Sequence, residues 1–395
     1  MGIEGIKTID NMDFRKKKVF LRVDYNVPLD EFGNIKDDFR IRASLPTIKK
    51  LFEKGATQII IASHLGRPQN KESKFKLDKV ARRLFELTKR KYVKLDDCIN
   101  LKAQHIDIPK PKDASIVILE NLRFHEEEEI NGADFAKELA SYADVYVNDA
   151  FGVCHREHAS VHAITKYIDG CIGLLVEKEI KAFESIKENP KRPMIAVLGG
   201  AKLETKLPMI QQLLHNVDKI LLGGAMIFTF YKAKGYSVGK SLVDKDSLSM
   251  AHMMSNNEKI VLPIDVTIAD DKDNPTQVMD YSPKNIPSYM MGLDLGRKTI
   301  DLFKQELGLA KTVIWNGPLG YYENKAFLKS TVELLKFLAQ RPDIKTIIGG
   351  GDSVSIVEAL GLREKYYHVS TGGGASMNLL EGKPLPALEA LKKRR

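Results

Sequence analysis

Residues 347–361 read IIGGGDSVSIVEALG. An apolar, β-branched run enters three glycines, Asp352-Ser353 follows, and a helical pattern begins at once. A strand that turns through glycine straight into a helix is the repeating unit of α/β folds. The start of such a helix points unpaired N–H groups back at the loop, a ready anion site. Two jobs are open for Asp352: capping the helix, or holding a magnesium ion that bridges phosphates. A carboxylate facing bare phosphate would repel it, so a phosphate site at Gly350–Ser353 nearly demands the metal.

The same unit recurs outward from this stretch. MIAVLGG, KILLGG, KIVLPIDVTIAD, TVIWNGP, TIIGGGD and YYHVSTGGG read as strands of the second half, each running into a turn. In the first half KVFLRVD, TQIIIAS, SIVILE and DVYVND read as strands, with helices near residues 42–54, 77–88 and 133–142 between them. Their apolar runs are continuous rather than alternating, as for parallel strands buried on both faces. GLLVEKEIKAFESIKENPKRP reads as one long amphipathic helix ending near Pro190, joining two domains. The fold class is therefore α/β, as two doubly wound parallel-sheet lobes joined by a hinge helix. A length of 395 residues also exceeds one ordinary core.

Ligands of open α/β sheets bind beyond the carboxyl ends of the strands. In the second half those ends are glycine-rich: Gly199-Gly200, Gly223-Gly224, Gly349–Gly351 and Gly372–Gly374. Lys202 and Lys206 follow the first of them, read as one side of a helix start, where two cations oppose the helix dipole unless an anion sits between them. Glu323, after WNGPLGYY, either accepts from ribose hydroxyls or caps the next helix. In the first half the strand ends are basic instead: Arg22, Asp24 and Asn26; His64 and Arg67; Arg123; His155, Arg156 and His158; with Arg40 beside them. Several arginines on one edge would trap phosphate and carboxylate. One lobe thus suits a small multiply charged anion and the other a nucleotide. That is the layout of a phosphotransfer enzyme that closes over its substrates.

Other signals exclude classes. KGYSVGKSLV, residues 234–243, imitates a phosphate-binding P-loop, but three residues rather than four separate Gly235 from Gly239, and the preceding segment reads as a helix. Lys240 reads as a solvated surface lysine. Apolar content of 43% and charged content of 29% are ordinary for a globular chain, and no apolar run approaches a membrane span. Cys98, Cys154 and Cys171 form no metal or disulfide framework, which suits a cytoplasmic location. Cys154 beside His155 invites a nucleophile reading, against the simpler one of a small buried thiol. The net charge of +9 is spread over both halves. A nucleic-acid binder would show aromatic and basic residues interleaved. A dinucleotide dehydrogenase would show G-x-G-x-x-G after its first strand, where this chain has Asp24-Tyr25-Asn26.

RVDYNVP, SHLGRP, LENLRFHEEEE, VNDAFGVCHREHAS, GGAKLETK, WNGPLG, GGGDS and VSTGGGAS together resemble phosphoglycerate kinases, in that family's order and over essentially the whole chain. The resemblance implies reversible transfer of a phosphoryl group from 1,3-bisphosphoglycerate to ADP, giving 3-phosphoglycerate and ATP with Mg²⁺. It implies two Rossmann-like lobes: residues 1–172 for phosphoglycerate, with 378–395 packing back on them, and 173–377 for nucleotide, with a connecting helix at about 175–189. Phosphoglycerate ligands fall on Asp24, Asn26, Arg40, His64, Arg67, Arg123 and Arg156. Nucleotide ligands fall on Lys206, Gly292, Glu323 and Gly350, Gly351, Asp352 and Ser353. Arg40 and Lys202 fall on positions that assist the transfer, and Asp352 on a magnesium position. The resemblance also implies a cytoplasmic monomer acting on small molecules, with no nucleic-acid or membrane partner. The chain departs from the family at Thr205, where an aspartate can help hold magnesium, and at Tyr25, where phenylalanine is usual.

Overall fold

The computed structural model describes residues 4–187 and 190–392. Two compact units emerge from the contacts. One runs up to Lys181 and takes back the chain from Pro384 onward; the other is Ala182–Lys383.

The first unit is built on a six-stranded sheet. In chain order its strands are β1 (Lys18–Val23), β2 (Gln58–Ala62), β3 (Tyr92–Lys94), β4 (Ile116–Ile118), β5 (Val145–Asp149) and β6 (Gly170–Ile172). Their order in space is β3-β4-β2-β1-β5-β6, all neighbours parallel. Helices α1 (Phe39–Glu53), α2 (Asp78–Thr88) and α3 (Ala133–Ala140) make crossovers. In α2 the buried residues are Val80, Ala81 and Leu84, one helical face, and Lys89 ends the helix in the left-handed region at φ 55°. Burial of every residue in β2 explains its unbroken apolar run. Each aliphatic side chain fully buried there is worth roughly 1.5–3 kcal/mol. The register sets Arg22 against Ala62, and Val23 against Asp149. The ends of β1, β2 and β5 are therefore level, and Asp24, Ser63 and Ala150 leave the sheet side by side.

Helix α4 (Leu174–Lys187) carries the chain out of this unit. Its start is fixed to the first unit: Leu174 N–H donates to Thr47 Oγ1 at 3.0 Å, and Leu175 N–H to Asp149 Oδ1 at 2.9 Å. The division between the two compact units falls inside this helix, after Lys181. Residues 188 and 189, the expected last turn, lie outside the described residues, as do 393–395 of the basic tail.

The second unit holds another six-stranded sheet. Its strands are β7 (Met194–Leu198), β8 (Lys219–Leu222), β10 (Ile260–Val261), β15 (Thr312–Asn316), β16 (Lys345–Gly349) and β17 (His368–Val369), in the spatial order β10-β8-β7-β15-β16-β17 and all parallel. Asn316 faces both Leu198 and Gly349, which lines up the glycine turns that follow these strands. Helices α5 (Leu207–Leu214), α6 (Ile227–Ala233), α7 (Leu248–Met254), α8 (Arg297–Leu309), α9 (Lys329–Ala339), α10 (Gly351–Ala359) and α11 (Gly374–Leu380) belong to this unit; α12 (Pro386–Glu389) belongs to the first.

KIVLPIDVTIAD is not one strand. It breaks after β10, and Val266–Ala269 (β11) joins a separate antiparallel sheet with Val278–Tyr281 (β12) and Met291–Leu295 (β14). Pro263 has no N–H for a ladder, and the chain changes sheets there. Ser237–Val238 (β9) and Asn285–Ile286 (β13) add a short parallel pair. No described helix is long and apolar enough to cross a membrane.

Candidate active site

At the level strand ends of the first unit Arg40 and His64 approach Asp24, and Arg123 and Arg156 approach Glu129. Arg40, in the first turn of α1, approaches Asp24 Oδ2 through Nη1 at 2.5 Å. Asp24 Oδ1 accepts from Asn26 N–H at 3.0 Å and lies 3.8 Å from His64 Nε2. Asn26 Oδ1 in turn accepts from Gly66 N–H at 2.8 Å. Arg123 donates to the Gly66 carbonyl at 2.7 Å and is paired with Glu129 at 3.0 Å; Arg156 lies 3.9 Å from the same carboxylate. Arg67 is exposed and makes no hydrogen bond or ion pair among the described residues. Burial raises the Asp24 carboxyl, but Arg40, the Asn26 N–H and Arg22 outweigh it and hold the group below the usual carboxylate range.

Arg22, read as one of the basic strand-end residues but not among the ligands the family resemblance implies, is fully buried. Its Nε donates to Ser160 Oγ at 2.7 Å, Nη1 donates to the Val23 carbonyl, and Nη2 lies 3.6 Å from Glu128 and 3.3 Å from His64 Nδ1. A guanidinium has no acceptor, so His64 Nδ1 accepts and Nε2 carries the proton. Burial, then Arg22, Arg123 and Arg40, push His64 well below the usual histidine range, against Asp24. His64 is thus a neutral, buried N–H donor between Arg22 and Asp24. Ser160 also donates to Glu128 at 2.6 Å, which ties this buried frame together.

In the second unit a cavity of about 590 Å³ opens at the glycine-lined strand ends. Gly200, Gly224, Gly292, Pro318, Glu323 and Asp352 are on its wall. A Cβ on Gly199 would sit 1.8 Å from the Pro318 carbonyl, so only glycine lets these two turns pass. Gly350 is the N-cap of α10 at φ 89°, again a conformation that favours glycine. Among the described residues the N–H groups of Gly351, Asp352 and Ser353 take no partner, as expected for a helix start.

Several alternatives resolve here. Asp352 is not a cap: it is the second residue of α10, and its Oδ1 accepts from the Tyr322 hydroxyl at 2.9 Å. Neither is Glu323, because Asn324 supplies the side-chain cap to Ala326 N–H at 3.0 Å. Ser353 is buried, and its hydroxyl accepts from Gly317 N–H at 2.9 Å. The two lysines do not share a helix side. Helix α5 begins only at Leu207, because buried Leu203 anchors a turn first, and Lys206 N–H reaches its carbonyl at 2.8 Å. Lys202 is exposed, whereas Lys206 is buried and donates to Asn316 Oδ1 at 2.5 Å. Burial lowers the Lys206 ammonium, opposed by Glu381 and Asp352.

A family model described as "Phosphoglycerate kinase" matches residues 9–383. The chain belongs to the phosphoglycerate kinase family. A phosphoglycerate kinase of Trichodesmium erythraeum is 47% identical over 398 residues, covering 99% of each chain. A cytosolic phosphoglycerate kinase of Triticum aestivum is 47% identical over 395 residues, covering 98% of each. The structure of phosphoglycerate kinase from Coxiella burnetii superposes with a TM-score of 0.84 at 34% identity, covering 98% of both chains. As an enzyme of the phosphoglycerate kinase family, the chain transfers a phosphoryl group between 1,3-bisphosphoglycerate and ADP, a step of glycolysis, with ATP or ADP as the nucleotide.

Sequence reasoning passed over part of this cavity. Lys240, Ser241 and Leu242 of the P-loop imitation lie on its wall, and the Ser241 hydroxyl accepts from Gly292 N–H at 2.9 Å. Lys240 is exposed, as expected, yet it borders the cavity. Cys154 is buried, and burial pushes its thiol up to about 12, which leaves the nucleophile reading without a thiolate. Tyr25, the other departure from the family, is buried with its hydroxyl 2.7 Å from Ser44 Oγ, so the added oxygen is satisfied.

Proposed function

We propose that the transfer is carried by two sets of residues. Asp24, Asn26, Arg40, His64, Arg67, Arg123 and Arg156 bind phosphoglycerate. Lys206, Gly292, Glu323 and the Gly350–Ser353 helix start bind the nucleotide. The observation that carries this reading is the contrast between the strand ends: basic side chains around Asp24 and Glu129 in one unit, glycine turns and a bare helix start around a cavity in the other. Arginine forks match carboxylate and phosphate oxygens, and the neutral His64 N–H adds a donor. Unpaired backbone N–H groups suit the nucleotide phosphates, and Glu323, exposed at the cavity, suits ribose hydroxyls.

Arg40 and Lys202 are the groups proposed to neutralise charge on the transferring phosphoryl. Electrostatics and positioning dominate this chemistry, and an acceptor already ionised needs no general base. Three carboxylates border the cavity: Asp294, Glu323 and Asp352. Asp294 is buried and taken up by Ser330 and by Leu295 N–H. Asp352 is exposed at the helix start and fits Mg²⁺, which takes one or two carboxylates with phosphate oxygens and water. Held by Asp352, such an ion would supply charge neutralisation to the nucleotide phosphates. Cytoplasmic action is supported by the cytosolic wheat relative and by three buried, unpaired cysteines, while action as a monomer is proposed by analogy with the family alone. A coupled assay of the purified chain with ATP, 3-phosphoglycerate and Mg²⁺ tests the assignment. Turnover is expected in the complete mixture; no turnover with every component present would overturn it.

A further inference from the structure

The Tyr322 hydroxyl donates to Asp352 Oδ1 at 2.9 Å, and no other hydrogen bond reaches this carboxylate among the described residues. Both partners sit on braced backbone. The loop carrying Tyr322 is pinned by Tyr321 N–H to the Leu293 carbonyl at 2.7 Å and by Leu319 N–H to Thr331 Oγ1 at 2.9 Å. The same loop is tied to the start of α10 by the Gly317 to Ser353 bond at 2.9 Å. The phenol therefore comes from a fixed position to a carboxylate at a fixed helix start.

We propose that Tyr322 is a positioning residue for the transfer, holding the Asp352 carboxylate in one orientation with Oδ2 left for the metal-bound nucleotide. This rests on the metal role of Asp352 given above. A carboxylate has room for about four hydrogen bonds, so the phenol occupies one site and does not block the other oxygen. Partners of this kind orient metal ligands, and their loss commonly costs about 10–100-fold in metal affinity. The need is greater in this chain. Thr205 stands where the family can place a second carboxylate, and its hydroxyl is turned to the Lys202 carbonyl at 2.9 Å. A single carboxylate free to rotate would lose that freedom on binding; Tyr322 removes it beforehand.

Titration calorimetry of ADP, with and without Mg²⁺, separates the possibilities across the intact chain, Y322F, D352N and the double variant. The intact chain is expected to bind ADP more tightly with Mg²⁺, and D352N to lose most of that gain. Y322F keeps its ring and is expected to lose about tenfold of the gain, with metal-free ADP affinity within about twofold of the intact chain. The double variant is expected to be no weaker than D352N, because Tyr322 acts through Asp352. If D352N loses the gain but Y322F keeps it, the positioning role is overturned and the Asp352 reading stands. Equal weakening of Y322F with and without Mg²⁺ would instead show ring contact with the nucleotide and overturn positioning. Should D352N keep the gain, the metal role of Asp352 falls first and this inference with it.

Discussion

Replacing Lys206 with methionine should separate stability from nucleotide binding. The side chain is buried, and its ammonium has one hydrogen bond, to Asn316 Oδ1 at 2.5 Å. Methionine keeps the length and removes the charge. Two effects then oppose each other in the ligand-free protein. Relief of a poorly solvated cation is favourable, while loss of a charge-assisted bond costs about 1.5–3 kcal/mol. The net change in unfolding free energy is expected to stay within about 1 kcal/mol. Its pH dependence has a definite sign. Burial lowers the folded-state value of Lys206 below its ordinary one, so the unfolded chain holds this proton more tightly. Stability from this residue therefore rises as pH climbs through the folded-state value toward 10.5, and K206M removes that rise. Nucleotide binding has no such compensation. A lost ammonium–phosphate bond of about 1.5–3 kcal/mol weakens ADP roughly 10–150-fold. ADP at a hundred times the original Kd should stabilise the intact protein by about 2.7 kcal/mol, but a variant weakened a hundredfold by only about 0.4 kcal/mol. Urea unfolding with and without ADP reads both quantities. An ADP affinity within about twofold of the original would refute the assignment of Lys206 to the phosphates, and a loss above about 3 kcal/mol without ligand would refute the compensation in the free protein.

Lys202→Ala should lower kcat by orders of magnitude with little change in ADP affinity, since the exposed ammonium is assigned to the transferring group; near-normal turnover would remove that role. Asp149→Asn should flatten the acid side of the stability profile. Burial pushes the Asp149 carboxyl up to about 6, opposed by Thr47, Val176 and Leu175. Its contribution is thus full below the ordinary value of 3.8 and is lost as pH rises through about 6, at most about 3 kcal/mol; melting temperatures across that window test it. Cys154→Ala should leave kcat unchanged and cost about 1 kcal/mol in urea unfolding, because the thiol is buried and protonated.

Much of the scaffold was legible because buried parallel strands leave unbroken apolar runs. Ile59, Ile60 and Ile61 are a clear case, all fully buried in β2. The antiparallel sheet was not, because all four residues of β12, Val278–Tyr281, are exposed and carry no pattern of burial. Tyr92–Lys94 and Gly170–Ile172 were missed too: three residues show no period. At the site, glycine turns and arginines mark themselves by residue type. Contacts across the fold do not: Tyr322 lies thirty residues from Asp352. Arg22 looks like another basic strand-end residue because only depth distinguishes it from Arg40, and depth is set by Ser160 and Glu128, far along the chain.

The first unit is completed by residues that follow the whole of the second. Leu385, Ala387 and Leu388 are buried in it, Ala387 N–H donates to the Cys154 carbonyl at 3.2 Å, and Lys392 bridges to Ile6. During synthesis the ribosome must therefore release about two hundred intervening residues before the first unit can close its core. A nascent chain stalled anywhere in Ala182–Lys383 leaves apolar surface uncovered near Cys154. The late segment thus couples burial in the first unit to prior synthesis of the second, an order of events written into the packing rather than into any single contact.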